Sequence, residues 1–295
     1  MSAREVRLRA NAKLNLTLDI TGRRADGYHL MEMVNVSVDL SDQLTIRRAQ
    51  LGGVRITSNA RFLPRTEKNL VYKATAALCE RLGIPIPAVE FDIQKHIPTQ
   101  AGLGGGSADA AAALIGLNAL FEYGLSPDEL SAVGAKVGAD VPYCLVGGAA
   151  RVTGIGEIVE PIPNAADLVF VILMPRQGRS TKEVFARCDA GERFDRPDTA
   201  AMLRALETGD TAAAALHLRN VFCSAAPDET TSRLLARLRE SGALGASMTG
   251  TGAAVFGVFA DGCAANSCKR RLFGAGVRAY TARPRGKGVE IISMR

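Results

Sequence analysis

Residues 98–111, PTQAGLGGGSADAA, constrain this chain more than any other stretch. In the segment before them Val89, Phe91 and Ile93 fall on every second residue, the period of a strand with one buried face. From Ser107 to Leu120 strong helix formers follow without a proline. The order predicted is strand, glycine-rich loop, helix. Glycines let the backbone turn tightly and leave its N–H groups uncovered. The N-terminus of the helix adds about half a positive charge. Together they make a seat for an anion, most commonly a phosphate.

The loop is not a Walker A motif, because Ser107 rather than a lysine follows Gly106. Gly102 to Ser107 partly fits the dinucleotide fingerprint G-x-G-x-x-G, with serine in the last glycine's place, and Glu122 and Asp128 stand where its acidic residue would be wanted. That fingerprint opens a βαβ unit near the start of a domain, whereas this loop lies deep in the chain. A third reading is a tight turn that packs a helix closely on a sheet. The loop alone leaves all three open.

With 295 residues, the chain is long enough for two domains with cores. Apolar residues make up 47% and charged residues 22%, ordinary for a globular protein. An apolar run of eighteen residues without a charge does not occur, so no membrane span is expected. The first residues lack the apolar core of a secretory signal. The six cysteines are scattered with no C-x-x-C, which favours reduced thiols in a cytoplasmic protein. None of the three histidines pairs with another at metal-ligand spacing. The net charge is +6, with Lys269, Arg270, Arg271, Arg278, Arg283, Arg285 and Lys287 clustered near the end. Little aromatic interleaving accompanies them, so a solvated basic face that attracts anionic substrates is preferred to a nucleic-acid surface. A monomer or weak homodimer acting on a small molecule is expected.

Strand-like segments dominate early, over 6–20 and 31–48. Helices are predicted over 67–82, from Ser126-Pro127 to about Val137, from Ser180, and over 198–208, 210–220 and 228–241. Strands are predicted at 168–175, GAAVFGVFA and VEIISM. Pro161, Pro163 and Asn164 suggest a seam, giving domains 1–163 and 164–295. The class is α+β.

Phosphoryl transfer to an alcohol needs a clamp on the triphosphate, charge compensation and a positioned hydroxyl. The loop supplies the clamp, and Lys13 and Asp140 are the candidates for the rest. A lysine on a strand more often points to solvent, and Asp140 in GADVP has a helix-cap reading. Tyr28 and His29 follow the turn pair Asp26-Gly27, where an aromatic ring is free to stack on a nucleobase and an imidazole to bond its edge. Asn69 alone reads as a helix cap, and Lys95 as a solvent lysine. Thr249, Gly250, Thr251 and Gly252 form a second glycine turn, either a phosphate contact or a turn before a strand.

P-x-x-x-G-L-G-G-G-S-x-x-A-A resembles the second motif of the GHMP kinases, small-molecule kinases named for galactose, homoserine, mevalonate and phosphomevalonate. Ala10–His29 and Ser247–Phe259 resemble the first and third motifs, in the same order, spanning the chain. A-K-L-N-L with T-G-R-R-x-D-G-Y-H, and Gly138–Glu157, narrow the likeness to the branch that phosphorylates 4-diphosphocytidyl-2-C-methyl-D-erythritol. The resemblance implies two α+β domains with the active site in the cleft between them, and ATP and Mg²⁺ as co-substrate and metal. It makes Lys13 and Asp140 the catalytic pair. It gives ATP Pro98, Thr99, Gln100, Ala101, Gly102, Leu103, Gly104, Gly105, Gly106, Ser107 and Ala108, with Asn69 and Lys95 at adenine. Ser107 is the candidate Mg²⁺ ligand by analogy with the P-loop hydroxyl. Tyr28 and His29 fall to cytidine with Phe185 on the other face of the base, and Asn15, Thr181, Thr249 and Gly250 to the rest of the substrate. The chain departs from the family at Thr99-Gln100-Ala101, where glycines are common; Ala101 then requires a negative φ. Asp109 is an added carboxylate, which either helps hold Mg²⁺ through water or faces away. Homoserine- or mevalonate-type kinases, a dinucleotide oxidoreductase and a non-catalytic nucleotide-binding module are the rival readings.

Overall fold

The computed structural model describes residues 3–50, 52–162, 167–191, 194–274 and 276–295. The chain opens on two long strands, β1 (Glu5–Arg23) and β2 (His29–Arg48), joined by a turn at Asp26-Gly27-Tyr28 and paired antiparallel along almost their whole length. Register shifts after Asn11, Asn15 and Ile20 break the strict alternation of β1. β3 (Val54–Ser58) precedes α1 (Leu70–Leu82), which Asn69 caps and Gly83 closes at φ 66°. β4 (Val89–Gln94) leads into the glycine loop and α2 (Gly105–Phe121). α3 (Pro127–Val137) begins with a full capping box between Ser126 and Glu129. α4 (Val141–Val146), β5 (Ala149–Thr153) and β6 (Ile158–Pro161) complete this half.

β1, β2, β4 and β3 lie side by side in one sheet, and the last strand, Val289–Met294, pairs antiparallel with β1 on the other side. The chain therefore ends in the sheet where it began. The junction expected at 163/164 lies outside the described residues. α2 packs on β1 and β2 so closely that a Cβ on Gly116 would stand 2.9 Å from Leu8 Cδ1. Its alanines serve the same approach, and the helix is buried on nearly every side. A second sheet of four antiparallel strands holds β7 (Val169–Pro175) and Val255–Phe259 at its centre, both buried throughout, with Val277–Ala282 and Gly245–Met248 outside. α5 (Thr181–Asp189) follows β7, with Ser180 as its N-cap. Among the described residues no helix is long and apolar enough to cross a membrane.

Candidate active site

The phosphate-loop geometry follows from its glycines. Gly104 is the N-cap of α2 at φ 70°, so a left-handed residue turns the chain into the helix, and no side chain caps it. Gly102 is also left-handed, at φ 75°. The third left-handed position is Gln100 at φ 55°, while Ala101 has no positive φ and buries its methyl. The loop is pinned to β1 by Lys13 N–H donating to the Leu103 carbonyl at 3.0 Å. A Cβ on Gly104 would stand 2.9 Å from Lys13 Cγ, so the lysine stem runs directly against the loop. Pro98 and Leu103 are buried supports, Thr99 and Gly106 are exposed, and Gly105 packs on Ile97. Ser107 stands half-buried in the first helical turn, with Ala108 buried behind it.

Lys13 does not point to solvent: only 4% of its side chain is exposed. Its ammonium donates to Asn15 Oδ1 at 2.7 Å and lies 3.8 Å from Asp140 Oδ1. Asp140 occupies the N-cap position of α4, yet its carboxylate makes no capping bond and is left for Lys13. It is the partly exposed member of the pair, at 35%. A buried cation beside an accessible carboxylate is the arrangement that general acid–base and electrostatic catalysis both use.

Asn15 is fully buried beneath this pair. Besides Lys13, its Oδ1 accepts from Gly250 N–H at 2.7 Å, and its Nδ2 donates to Asn35 Oδ1 at 2.6 Å. The Thr249 hydroxyl lies 3.1 Å from Asn15 Oδ1 and 3.0 Å from the Gly102 carbonyl, with one proton to give. Asn15 and Thr249 thus tie β1, the phosphate loop and the second glycine turn together, and neither lines the cleft. The two turns meet back to back: a Cβ on Gly250 would stand 2.9 Å from Gly102 Cα, and one on Gly102 would run into the Thr249 carbonyl. Asn220 braces the second turn, its Nδ2 donating to the Met248 and Gly250 carbonyls at 2.9 and 2.8 Å.

A cleft of about 880 Å³ opens over these groups. Lys13, Asp140, Gln100, Gly102, Tyr28, His29, Thr181, Phe185 and Gly250 line it, all expected from the sequence. Leu18, Met31, Met33, Arg179 and Phe222 line it as well and were not. Met31 and Met33 were legible only as strand residues, and Phe222 gave no signal of its own. Thr181 reaches Thr251, hydroxyl to hydroxyl, at 3.1 Å. The aromatic wall differs from a ready sandwich. His29 stacks directly on Phe185, centroids 4.8 Å apart, and Phe185 meets Phe222 edge-on at 5.0 Å. His29 Nε2 is already 2.6 Å from Asp189 Oδ1. The Phe185 face expected to meet a base is therefore covered by the imidazole, and Tyr28, 61% exposed, is the uncovered ring.

Asn69 and Lys95 lie outside this cleft, on the other flank of the loop. Asn69 is the helix cap of its simpler reading, its Oδ1 accepting from Val71 N–H at 2.9 Å and its Nδ2 donating to the Pro64 carbonyl at 2.7 Å. The solvent reading of Lys95 fails, since 4% of its side chain is exposed. Its ammonium is held between Asp42 and Asp109, 2.7 Å from Asp109 Oδ2. Asp109 therefore faces into the core, away from any metal at the phosphates. Burial, partly offset by Lys95, pushes the Asp109 carboxyl up to about 8, with Asp42 adding to the rise. Among the described residues no group of three or more acidic, histidine or cysteine side chains could by itself hold a metal ion.

The model of the GHMP kinases N terminal domain matches residues 69–148, and that of the GHMP kinases C terminal domain matches 202–277. A 4-diphosphocytidyl-2-C-methyl-D-erythritol kinase of Alkaliphilus metalliredigens is 38% identical, over 91% of this chain and 93% of the relative. One of Caldicellulosiruptor saccharolyticus is 41% identical, over 86% and 88%. A crystal structure of 4-(cytidine 5'-diphospho)-2C-methyl-D-erythritol kinase superposes with a TM-score of 0.79 at 29% identity, covering 95% of this chain and 100% of that one. By motif order, fold and overall likeness, the chain belongs to the GHMP kinase family, in its 4-diphosphocytidyl-2-C-methyl-D-erythritol kinase branch.

Proposed function

We propose that this protein transfers the terminal phosphoryl group of ATP to the 2-hydroxyl of 4-diphosphocytidyl-2-C-methyl-D-erythritol, a step in isoprenoid precursor synthesis, with Lys13 and Asp140 as the catalytic pair. The observation that carries the reading is the Lys13–Asp140 contact of 3.8 Å, in one cleft with the glycine loop and the aromatic group His29, Phe185 and Tyr28. Residues 1–163, joined in their sheet by the last strand Val289–Met294, form the nucleotide-binding unit, the rest of 164–295 forms the C-terminal unit, and the cleft draws on both.

The ATP phosphates sit on Gly102–Ser107, where the uncapped start of α2 offers N–H donors and its dipole. Asn69, through the backbone groups it bonds, and Lys95, through Asp42 and Asp109, shape the adenine side rather than offering free side chains. Asp140 positions the attacking hydroxyl and accepts its proton. Lys13, fixed by Asn15 and 3.8 Å from that carboxylate, compensates charge on the transferring group. Ser107 and the nucleotide phosphates would hold Mg²⁺, which supplies charge neutralisation at the phosphates. Tyr28 covers the cytosine, with His29 and Phe185 as the opposite wall once the imidazole gives way. All six cysteines are free and four are buried, which suits a reducing cytoplasm. The protein acts there as a monomer or weak homodimer.

The test is phosphoryl transfer from ATP with a panel of alcohols: the cytidyl substrate, the same methylerythritol phosphate without its cytidyl group, homoserine and mevalonate. Turnover of the cytidyl compound alone is expected. Equal turnover of the truncated compound would replace the reading by a generic GHMP polyol kinase.

A further inference from the structure

Arg179 stands in the link between β7 and α5, a stretch with no motif of its own. Two glycine turns hold it. Gly178 before it lies over the phosphate loop, where an added Cβ would meet the Gln100 carbonyl at 3.2 Å. The Arg179 stem fills the space beside Gly252, whose Cβ would meet Arg179 Cδ at 2.9 Å. The side chain is thus placed at the seam between the phosphate loop and the Thr249–Gly252 turn, and it lines the cleft.

The guanidinium is anchored but not neutralised. Nη2 donates to the Ala226 carbonyl at 2.6 Å, and Nη1 lies 3.3 Å from Met248 Sδ, a weak acceptor. A guanidinium has five N–H donors, so donors remain for a ligand. Among the described residues no carboxylate lies within ion-pair distance of it. Asp228 is near enough to be felt, but it caps the helix Glu229–Glu240 and shares its field with Arg187. Burial is the main influence and pulls the Arg179 guanidinium below its ordinary value, the direction of a cation short of a counter-charge. Among the described residues lining the cleft, Lys13 already has Asp140, so Arg179 is the cation left over. The hydroxyls of Thr181 and Thr251 and the start of α5 stand in the same wall.

We infer that Arg179 is a phosphate-binding residue of the cleft, pairing its guanidinium with a phosphate group of a bound nucleotide. A planar fork beside hydroxyls and a helix start suits phosphate oxygens, which bring the counter-charge that a bare sugar or base lacks. The inference rests on the proposed function for its ligands: either the diphosphate of the cytidyl substrate or the phosphates of ATP supplies the anion.

Titration calorimetry of wild type, Arg179→Met and Arg179→Lys with CDP, cytidine and ATP separates the cases. Met keeps most of the stem beside Gly252; Lys keeps the charge if Met proves unstable. A hydrogen-bonded charge pair is worth about 1.5–3 kcal/mol, so Arg179→Met should weaken CDP about 10- to 150-fold. Cytidine, which lacks phosphates, should bind unchanged, and Arg179→Lys should recover part of the loss. A loss confined to ATP supports the same role with the donor as the source. Equal losses for CDP and cytidine would make Arg179 a shaper of the wall and overturn the inference, as would unchanged CDP and ATP binding. If wild type binds neither CDP nor cytidine, the cytidyl reading fails by itself, and the ATP comparison still decides Arg179.

Discussion

Replacing Asn15 by leucine, close to it in volume, removes the polar joint under the catalytic pair. Two contributions dominate. Asn35 Oδ1, completely buried, loses the Asn15 amide that donates to it at 2.6 Å. An unpaired buried acceptor costs about 1–3 kcal/mol. Lys13 loses its 2.7 Å bond to Asn15 Oδ1, and a bond to a charged group contributes about 1.5–3 kcal/mol. Together they predict a loss of about 2.5–6 kcal/mol, out of the about 5–15 kcal/mol typical of a folded domain. The Thr249 hydroxyl still has the Gly102 carbonyl, so the glycine turns loosen without separating. Lys13 is no longer held in register with Asp140, and misplacement of about 1 Å at a reacting centre lowers rate up to about 100-fold. Urea denaturation gives the first quantity and steady-state kinetics the second, on Asn15→Leu and wild type side by side. A stability change under about 1 kcal/mol with unchanged kcat would refute the role given to this joint.

Four further outcomes are expected. Gly102→Ala forces a Cβ into the Thr249 carbonyl at φ 75°, so Tm should fall and ATP affinity with it. Gly209→Ala, also left-handed but with open space around it, should lower Tm while leaving ATP titration unchanged. Asp109 is protonated in the folded protein up to about pH 8 and ionises near 4 when unfolded, so the native state binds the extra proton between these limits. Its contribution to stability therefore falls as pH rises from about 4 to about 8. Asp109→Asn should flatten that slope in urea melts run across this range, and an unchanged slope would contradict it. Tyr28→Ala should raise KM for the cytidyl substrate roughly 5- to 150-fold, from stacking of about 1–3 kcal/mol, with KM for ATP steady. Equal shifts in both would remove the stacking role.

What the sequence made legible was mostly local chemistry. Ser126-Pro127 announced a helix start, Gly83 a helix end, and the glycine run the start of α2. Each is a signal carried by adjacent residues. Lys13 and Asp140 were nameable from motifs, but their burial was not. β1 is covered on both faces, so Asn11, Lys13, Asn15 and Thr17 are as buried as the leucines between them, and alternation carries no sign of which face is polar. Lys95 was misjudged for a related reason: its partners Asp42 and Asp109 come from a distant strand and the next helix. The contact of His29 with Phe185 and Asp189 joins the first hairpin to α5, a pairing that only the tertiary fold creates. Arg179 was invisible because its meaning lies in two glycine turns far from it in sequence. The helix Gly262–Leu272, which carries part of the basic cluster, went unread because it opens on Gly262-Cys263 rather than on an apolar repeat.

The central claim is that Asp140 and Lys13 perform the chemistry in this cleft, and the most direct measurement is the turnover of Asp140→Asn with the cytidyl substrate and ATP. The substitution keeps the shape, removes the proton acceptor, and touches no capping bond of α4. The expected result is kcat lowered at least ~100-fold, with Tm and ATP affinity close to wild type. Near wild-type turnover would contradict the claim, because a cleft that works without the Asp140 carboxylate has its catalytic group elsewhere.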